Sequence, residues 1–448
     1  MKLKMISLSL CILIVLKPFA QGILEQYVQV AFTSNEGVKQ QQFAFEKSIY
    51  SLKEAKALFL PNVGFRTDYF LAAGGRTVDF PAGDLLNPVY RTLNQLTGSN
   101  NFPQLQNQSI LLNPNNFYDA KFRTTYPILN LEIGINKKIK QEQVQLQQAE
   151  INLYKRELAK EVKEAYFKYL QAAAAIKIYE SAALLVKENQ RINQSLYNND
   201  KVNEAVLIRA KNEVIKLEAL QEIATQTATS AKAFFNFLLN RPGADSIVID
   251  TAYQLPLPIV GTEASIANRE ELLKLGIATH INKHLEGLSK TYLWPKLYTF
   301  LDLGLQGFNG KINNQAPYYF LGVTLQWDVF SGGKNIYKTH QAQLDNKIIK
   351  SQTSYVYTQL QLQYTTAINS FQSSLAAYRS AISTRQSSER YYTDMLRLYK
   401  EGQALFIELL DAQNQFIQAK LQSSITLYDT YIKAVEIERA TASLTINN

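Results

Sequence analysis

Side chains able to do covalent or metal chemistry are scarce in this chain. The one cysteine is Cys11, and there are three histidines in 448 residues. Two of them, His280 and His284, are four apart, a spacing that puts both rings on one helix face, as metal ligands would be. The intervening Ile281-Asn282-Lys283 lacks the glutamate of a zinc-hydrolase motif, and Lys283 would repel a cation, so the pair reads as surface histidines. No glycine-rich phosphate loop occurs either. Neither an enzyme activity nor a cofactor is expected, and the chemistry of this protein is to be sought in passage or binding.

The positions at which such a task is done depend on where the chain is sent. Lys2 and Lys4 precede an apolar run from Met5 to Leu16, followed by Lys17-Pro18-Phe19-Ala20-Gln21-Gly22. This pattern predicts a signal peptide over 1–20, cut after Ala20 or Gly22. Leu8-Ser9-Leu10-Cys11 is a poor lipoprotein box, because Leu10 is too large. No later stretch reaches 18 apolar residues, so no helical anchor is expected. Without Cys11 the exported chain has no thiol, and disulfides are excluded. Loss of Lys2, Lys4 and Lys17 lowers the formal charge from +9 to +6, spread without a nucleic-acid-binding cluster. A hydrophobic fraction of 46% with 19% charged residues excludes a disordered chain.

Glycine and proline are absent from Ile135 to Arg241 and again from Lys334 to Glu401. Runs this long predict helices far beyond ordinary globular length. In the first, Tyr154, Leu158, Val162, Ala165, Tyr169, Ala172, Ile176, Tyr179, Ala183 and Val186 advance by threes and fours, the 3.5-residue period of coiled-coil packing. An offset of 202 carries the first eight onto Val356, Leu360, Tyr364, Ala367, Phe371, Ser374, Tyr378 and Ala381. The chain therefore reads as two tandem repeats, 23–240 and 263–448, separated by an insert over 241–262 that packs against the helices near their middle.

Candidate strands precede each long helix. From Tyr319 to Val329, Leu321, Val323, Leu325, Trp327 and Val329 alternate with Gly322, Thr324, Gln326 and Asp328. Leu297 to Leu305 alternates less cleanly, with Tyr298 and Phe300 misplaced. In the first repeat, Tyr118, Ala120, Phe122, Thr124 and Tyr126 alternate with Asp119, Lys121, Arg123 and Thr125, and Val63, Phe65, Tyr69 and Leu71 mark a fourth strand. The strands are expected to pair as two hairpins. An insert from Gly74 to Asn116, rich in asparagine, glycine and proline, separates the first two, and it reads as an extracellular loop or equally as a soluble one.

Alternating strands fit a soluble half-buried sheet or a membrane barrel. Export, and helices too long to cover so small a sheet, favour the barrel. Four strands cannot close one, because an open edge in lipid leaves backbone groups unpaired, so two or three copies must assemble. Asp119, Lys121, Arg123 and Asp328 would then line the lumen. A helix from Ile135 to Asp200 would extend roughly 100 Å, far beyond a bilayer, and must project from it.

These paired hairpin-to-helix repeats resemble the TolC family of outer-membrane efflux proteins over nearly the whole exported chain. Leu60-Pro61 and Trp294-Pro295 stand where a helix meets a strand, Gln326-Trp327-Asp328-Val329-Phe330-Ser331-Gly332-Gly333 where a strand enters a helix, and Tyr399-x-x-Gly402 followed by Glu408-Leu409-Leu410-Asp411-Ala412-Gln413 at the helical tip. With Pro127, the residues Pro61, Pro295, Gly332 and Gly333 mark the helix/strand junctions. The resemblance implies an α+β membrane protein: a homotrimer whose twelve-stranded β-barrel continues into a twelve-helix periplasmic α-barrel, in outer-membrane lipid. It implies an exit duct of a tripartite efflux or type I secretion system, working with a periplasmic adaptor and an inner-membrane pump of the RND, ABC or MFS type. Its cargo, whether small molecules, metal ions or polypeptides, stays open.

The resemblance also implies a periplasmic gate at Tyr399, Gly402, Glu408 and Asp411. Glu408 and Asp411 lie three apart, on one helical face, and threefold symmetry would make them carboxylate rings that attract cations. This chain departs from the family pattern at Ala404, where an arginine is usual, at Val206, where the first repeat lacks its acidic residue, and at Asp200, which replaces a glycine. Closure of the tip through Glu204 or Arg209 is an alternative. The rival reading is a periplasmic coiled-coil adaptor or structural protein without a pore, but an adaptor would need one helical hairpin, and this chain repeats it.

Overall fold

The computed structural model describes residues 22–113, 115–249, 266–444 and 446. The expected leader over 1–20 and residues 250–262 of the expected insert lie outside them. The helices are α1 (Ile23–Ser34), α2 (Glu36–Ala57), α3 (Ala82–Thr97), α4 (Leu131–Asn198), α5 (Glu204–Leu238), α6 (Glu270–Ser289), α7 (Lys334–Lys400) and α8 (Phe406–Thr441). The strands are β1 (Asn62–Phe70), β2 (Thr77–Phe80), β3 (Gln108–Leu111), β4 (Phe117–Leu129), β5 (Lys296–Phe308) and β6 (Pro317–Gln326). The offset of 202 carries the last residue of α4 onto that of α7, and the first of α5 onto that of α8. No helix among the described residues is long and apolar enough to cross a membrane.

Two compact units cut across the expected repeats, each drawing on both. One takes the chain up to Ile49, from Glu142 to Ile281, and from Asp345 onward; the other takes Tyr50–Gln141 and Asn282–Leu344. In the helical unit the 3.5-residue stripe is buried at Leu158, Val162, Ala165, Ala172, Tyr179 and Val186 of α4, and at Leu360, Ala367, Phe371 and Ala381 of α7. Leu24, Val28 and Phe32 of α1, Tyr166 and Phe167 of α4, Phe235 of α5 and Val435 of α8 form its largest core.

Beside that core runs a belt of buried charge. The Arg156 guanidinium donates to Glu270 at 2.8 Å and to the Leu444 carbonyl at 3.0 Å. Lys163 donates to Glu438 at 2.7 Å and to Glu25 at 3.3 Å, tying α4 to α8 and α1. Arg439 reaches both Glu157 and Glu271 at 2.8 Å, and Arg269 donates to Glu271 at 3.0 and 2.5 Å. Burial pushes the Glu271 carboxyl up, but the Arg269 hydrogen bonds and the charges of Arg439 and Arg269 outweigh it and bring it down to about 2.

In the sheet unit the strands run β1-β4-β5-β6, antiparallel throughout. The two expected hairpins are thus not separate: β4 and β5 pair from Phe117↔Phe308 to Leu129↔Leu297, and Arg123 and Asp302 stand opposite each other in that seam. The strand expected over Tyr319–Val329 stops at Gln326. Its last partner is Lys296, the first residue of β5 after Pro295, so Trp327 to Val329 have no strand partner among the described residues, and the Val329 amide turns back to the Trp327 carbonyl at 3.1 Å. The expected loop after Gly74 contains α3 and the β2–β3 ladder, whose alternating signal is only four residues long in each strand.

The charge belt makes stability sensitive both to single charge deletions and to acid. Arg156→Met leaves Glu270 buried without a counter-charge and should lower stability by about 3–5 kcal/mol, while Arg156→Met with Glu270→Met should recover most of that loss in thermal melts. Because the folded-state Glu271 acid lies below its ordinary value near 4.5, its contribution is complete above that value and is lost as pH falls through it toward about 2. Glu271→Gln should therefore show a shallower fall of melting temperature between about pH 5 and pH 3 than the parent chain.

Candidate functional site

The first site is the polar face of the sheet. Directly opposed residues of antiparallel strands share a face, so the register puts Arg66 and Asp68 of β1, Asp119, Lys121 and Arg123 of β4 and Asp302 of β5 together. Arg66 pairs with Asp68 at 2.8 Å, and Lys121 with Asp119. Arg123 grips the buried Asp302 with two parallel bonds of 2.7 and 2.6 Å, and Tyr318 donates to Asp119 at 2.6 Å. Three cations thus meet three carboxylates, and the fourth cation of this face, Lys296 at the start of β5, pairs with Glu132 of α4 at 2.7 Å, so the charges cancel. Asp328, expected on it, lies instead in the segment between β6 and α7.

Tyr298 and Phe300, which spoil the alternation of β5, also point to this face. Phe300 faces Gly322 across the ladder, and its ring occupies the space that a Cβ at Gly322 would enter, 2.6 Å from that position. The Arg123 guanidinium sits 4.9 Å above the same ring. At Gly304 the space is shared, the Ala120 carbonyl and the Lys121 side chain of β4 coming as close as the Tyr318 ring of β6, so ring-over-glycine packing holds β5 to β6 at Gly322 and a close approach of three strands marks Gly304.

The opposite face is apolar and bare. Val63 and Phe65 of β1, Phe122 and Tyr126 of β4, Leu303 of β5 and Leu321, Val323 and Leu325 of β6 are all exposed, Val323 at 64%. Both edges of the sheet, β1 and β6, are unpaired among the described residues. At the junctions, Pro61 and Pro295 directly precede β1 and β5, Pro127 marks the only register shift of β4 with β5, and Gly332 and Gly333 take φ of 61° and 82° just before α7, a conformation that favours glycine.

The second site is the pair of tight turns ending the long helices. In both, an amide bonds back to the carbonyl five residues earlier: Lys201 to Leu196 at 2.9 Å and Gln403 to Leu398 at 2.8 Å, the Schellman closure. The left-handed position is Asp200 in one, with φ 55°, and Gly402 in the other, with φ 73°. The next helix is capped differently in each. The Asn203 side chain accepts from the Val206 amide at 3.2 Å at the start of α5, whereas at α8 the Glu408 carboxylate reaches back to the Leu405 amide at 2.8 Å. The absence of an acid at Val206 therefore has a local cause, since Asn203 already does the capping.

Glu408 and Asp411 are both exposed, and Asp411 accepts from Gln415 at 2.7 Å. Tyr399 is buried, which pushes its hydroxyl pKa up, and it donates to Asn193 of α4 at 2.5 Å. Asn193 in turn donates to the Asn189 carbonyl at 2.7 Å, and the Asn189 side-chain amide to Gln413 of α8. One buried polar chain thus ties α4, α7 and α8 at the tip. Glu204 and Arg209 are exposed, and Ala404 packs into the surrounding apolar cluster. The sequence did carry a signal for Asn189 and Asn193: they continue the stripe after Val186 by steps of three and four, and polar residues on such a stripe fix register. At the other end of α4, His280 faces Glu142 at 3.8 Å, too far for a hydrogen bond.

A small antiparallel sheet with a bare apolar face, strands leading into helices of 68 and 67 residues, and paired helical tips define the fold of the outer-membrane channels. The outer-membrane channel OprN shares it at a TM-score of 0.75 with 17% identity, over 94% of this chain and 89% of that one. The CmeC outer membrane channel of Campylobacter jejuni gives 0.74 with 14% identity over 94% and 85%, and the open-state MtrE outer membrane channel of Neisseria gonorrhoeae 0.73 with 13% over 94% and 89%. No protein-family model and no curated protein matches the chain in sequence.

Tyr399→Phe should leave the buried Asn193 oxygen without a donor and cost about 1–3 kcal/mol. Asn193→Ala should act on the same bond, so the double variant should lose less than the sum of the two. Faster amide exchange confined to the α7–α8 turn would locate the effect.

Proposed function

We propose that this chain is one third of an outer-membrane exit duct. The observation that carries the reading is the sheet whose one face is apolar and exposed while both its edges lack partners. Such a face suits lipid, and in lipid such edges must be paired by further copies. Three copies would join twelve strands into a barrel with the ion-paired face of Asp119, Lys121 and Arg123 turned to the lumen. The two tandem repeats, 23–240 and 263–448, then supply two hairpin ends per copy to a six-fold pseudo-symmetric helical tip. The coincidence of helix ends at one offset supports that duplication.

The duct is passive and performs no catalysis. It receives cargo from a periplasmic adaptor and an inner-membrane pump, of RND, ABC or MFS type, and releases it outside the cell. The cargo class, small molecule, metal ion or polypeptide, is set by those partners. The gate lies at the tip, with Tyr399 and Gly402 shaping the closed turn and the exposed Glu408 and Asp411 forming carboxylate rings. Since the charges of the sheet's polar face cancel in pairs, ion selectivity falls to these rings. A poreless periplasmic adaptor is the poorer reading, because it leaves the apolar sheet face in water.

Native mass measurement of the detergent-extracted protein should give three copies, and a water-soluble monomer would refute the duct. For the gate, Glu408→Gln with Asp411→Asn keeps the Leu405 cap while removing the charge. In planar bilayers this variant should lose cation preference and block by multivalent cations. Unchanged selectivity and block would refute the rings.

A further inference from the structure

The segment between β1 and β4 is a built object. Its stem is stitched by the Leu112 amide to the Arg76 carbonyl at 3.0 Å, the Asn113 side-chain amide to the Gly74 carbonyl at 2.9 Å and the Ala72 amide to the Asn115 side chain at 3.2 Å. Within it, two asparagines seven residues apart on α3 hold the returning chain as a strand partner would. Asn87 accepts from the Leu105 amide at 2.7 Å and donates to its carbonyl at 2.9 Å. Asn94 does the same to Phe102, at 3.1 and 2.8 Å. Asp84 accepts from Asn107 at 2.9 Å, and the Tyr90 and Phe102 rings meet at 5.7 Å.

All these contacts leave α3 from one side. On a 3.6-residue period Leu85, Val89 and Leu96 fall on the opposite side, and they are exposed at 62%, 52% and 78%. A latched polar face thus presents a fixed apolar stripe to the outside. Val78, Phe80 and Ile110 of the neighbouring β2–β3 ladder, on one face of it, are exposed as well. A stripe of this size on an otherwise satisfied element marks a contact surface.

We propose that the apolar stripe of α3 packs against a second copy of this chain, beside the β1 edge, and so clamps the copies together at the end of the barrel from which the insert springs. The proposal rests on the trimeric reading above. Two observations select this occupant. The insert starts from β1, the edge strand that must meet a neighbouring copy, and its stitched stem gives α3, beginning twelve residues after Phe70, little freedom to leave that seam. Its charge argues against a lipid surface: helices that lie on membranes carry many lysines and arginines, whereas α3 has one arginine, Arg91, balanced by Asp84.

The test uses full-length Leu96→Cys, with Gln95→Cys as the exposed control, and a membrane-impermeant maleimide. In the detergent-solubilised trimer Leu96→Cys should label at least about tenfold more slowly than in the heat-dissociated monomer, the protection of a contact whose opening costs about 1.4 kcal/mol, while Gln95→Cys labels alike in both. Equal labelling of Leu96→Cys in trimer and monomer would overturn the clamp and leave the duct standing. Protection seen only after reconstitution into lipopolysaccharide-containing bilayers would overturn it in favour of a lipid contact. A chain that stays monomeric by mass would refute the duct reading and the clamp with it. As a second measure, Val89→Asp with Leu96→Asp should lower the temperature at which the trimer dissociates in SDS, and an unchanged dissociation temperature would count against the clamp.

Discussion

Along the outer edges of β1 and β6, backbone amides and carbonyls have no strand partner among the described residues, while one face of that sheet is too apolar to leave in water. The proposed duct meets both conditions at once, with lipid against the face and further strands at the edges, so that sheet, oligomer and membrane become one problem. The remaining architecture accommodates it. The polar face neutralises its charges in pairs, so that it can face a water-filled space without drawing one sign of ion. Gly322 gives up its side-chain volume to Phe300, and Gly304 to β4 and Tyr318 together, which keeps β6 against β5 close to the free edge.

The two copies of the hairpin keep the same backbone and fill it with different chemistry. Both tips close with the same five-residue return bond, yet one uses an aspartate where the other uses a glycine, and one caps with an asparagine where the other caps with a glutamate from inside the helix. Only the second copy thereby sets a carboxylate at the start of its return helix that reaches back to cap it. The difference between copies at Val206 and Glu408 is thus first a difference in how a helix begins.

Much of this was legible in the residues. Periodicity located α4 and α7 and the stripes they bury, since a 3.5-residue pattern sustained over many turns is the mark of a helix packed along its whole length. Alternation located β1, β4 and β6 and sorted Asp119, Lys121 and Arg123 to one face. It failed at Phe300, where the partner across the ladder decides the face's chemistry, and at Trp327 to Val329, where alternation continues beyond the last available partner. Neither partner is visible from a strand read alone. The asparagine-rich insert read as loop because its order comes from Asn87 and Asn94 bonding to backbone some eight to eighteen residues away, a pattern without local periodicity. The tip residues were readable by type, but the Asn193 partner of Tyr399 lies 206 positions away.

The buried lysine of the charge belt bears on how such a chain is made. Lys163 is satisfied by Glu25 and Glu438, 138 and 275 positions away in opposite directions. Glu25 precedes Lys163 in the chain and can meet it early, but the closer partner, Glu438 at 2.7 Å, comes only with α8, and burial of the ammonium with both carboxylates in place waits for that helix. The charge belt of the helical unit is therefore completed last by its most distant stretch of sequence, and α8 acts as the piece that locks α1 and α4 around a shared ammonium.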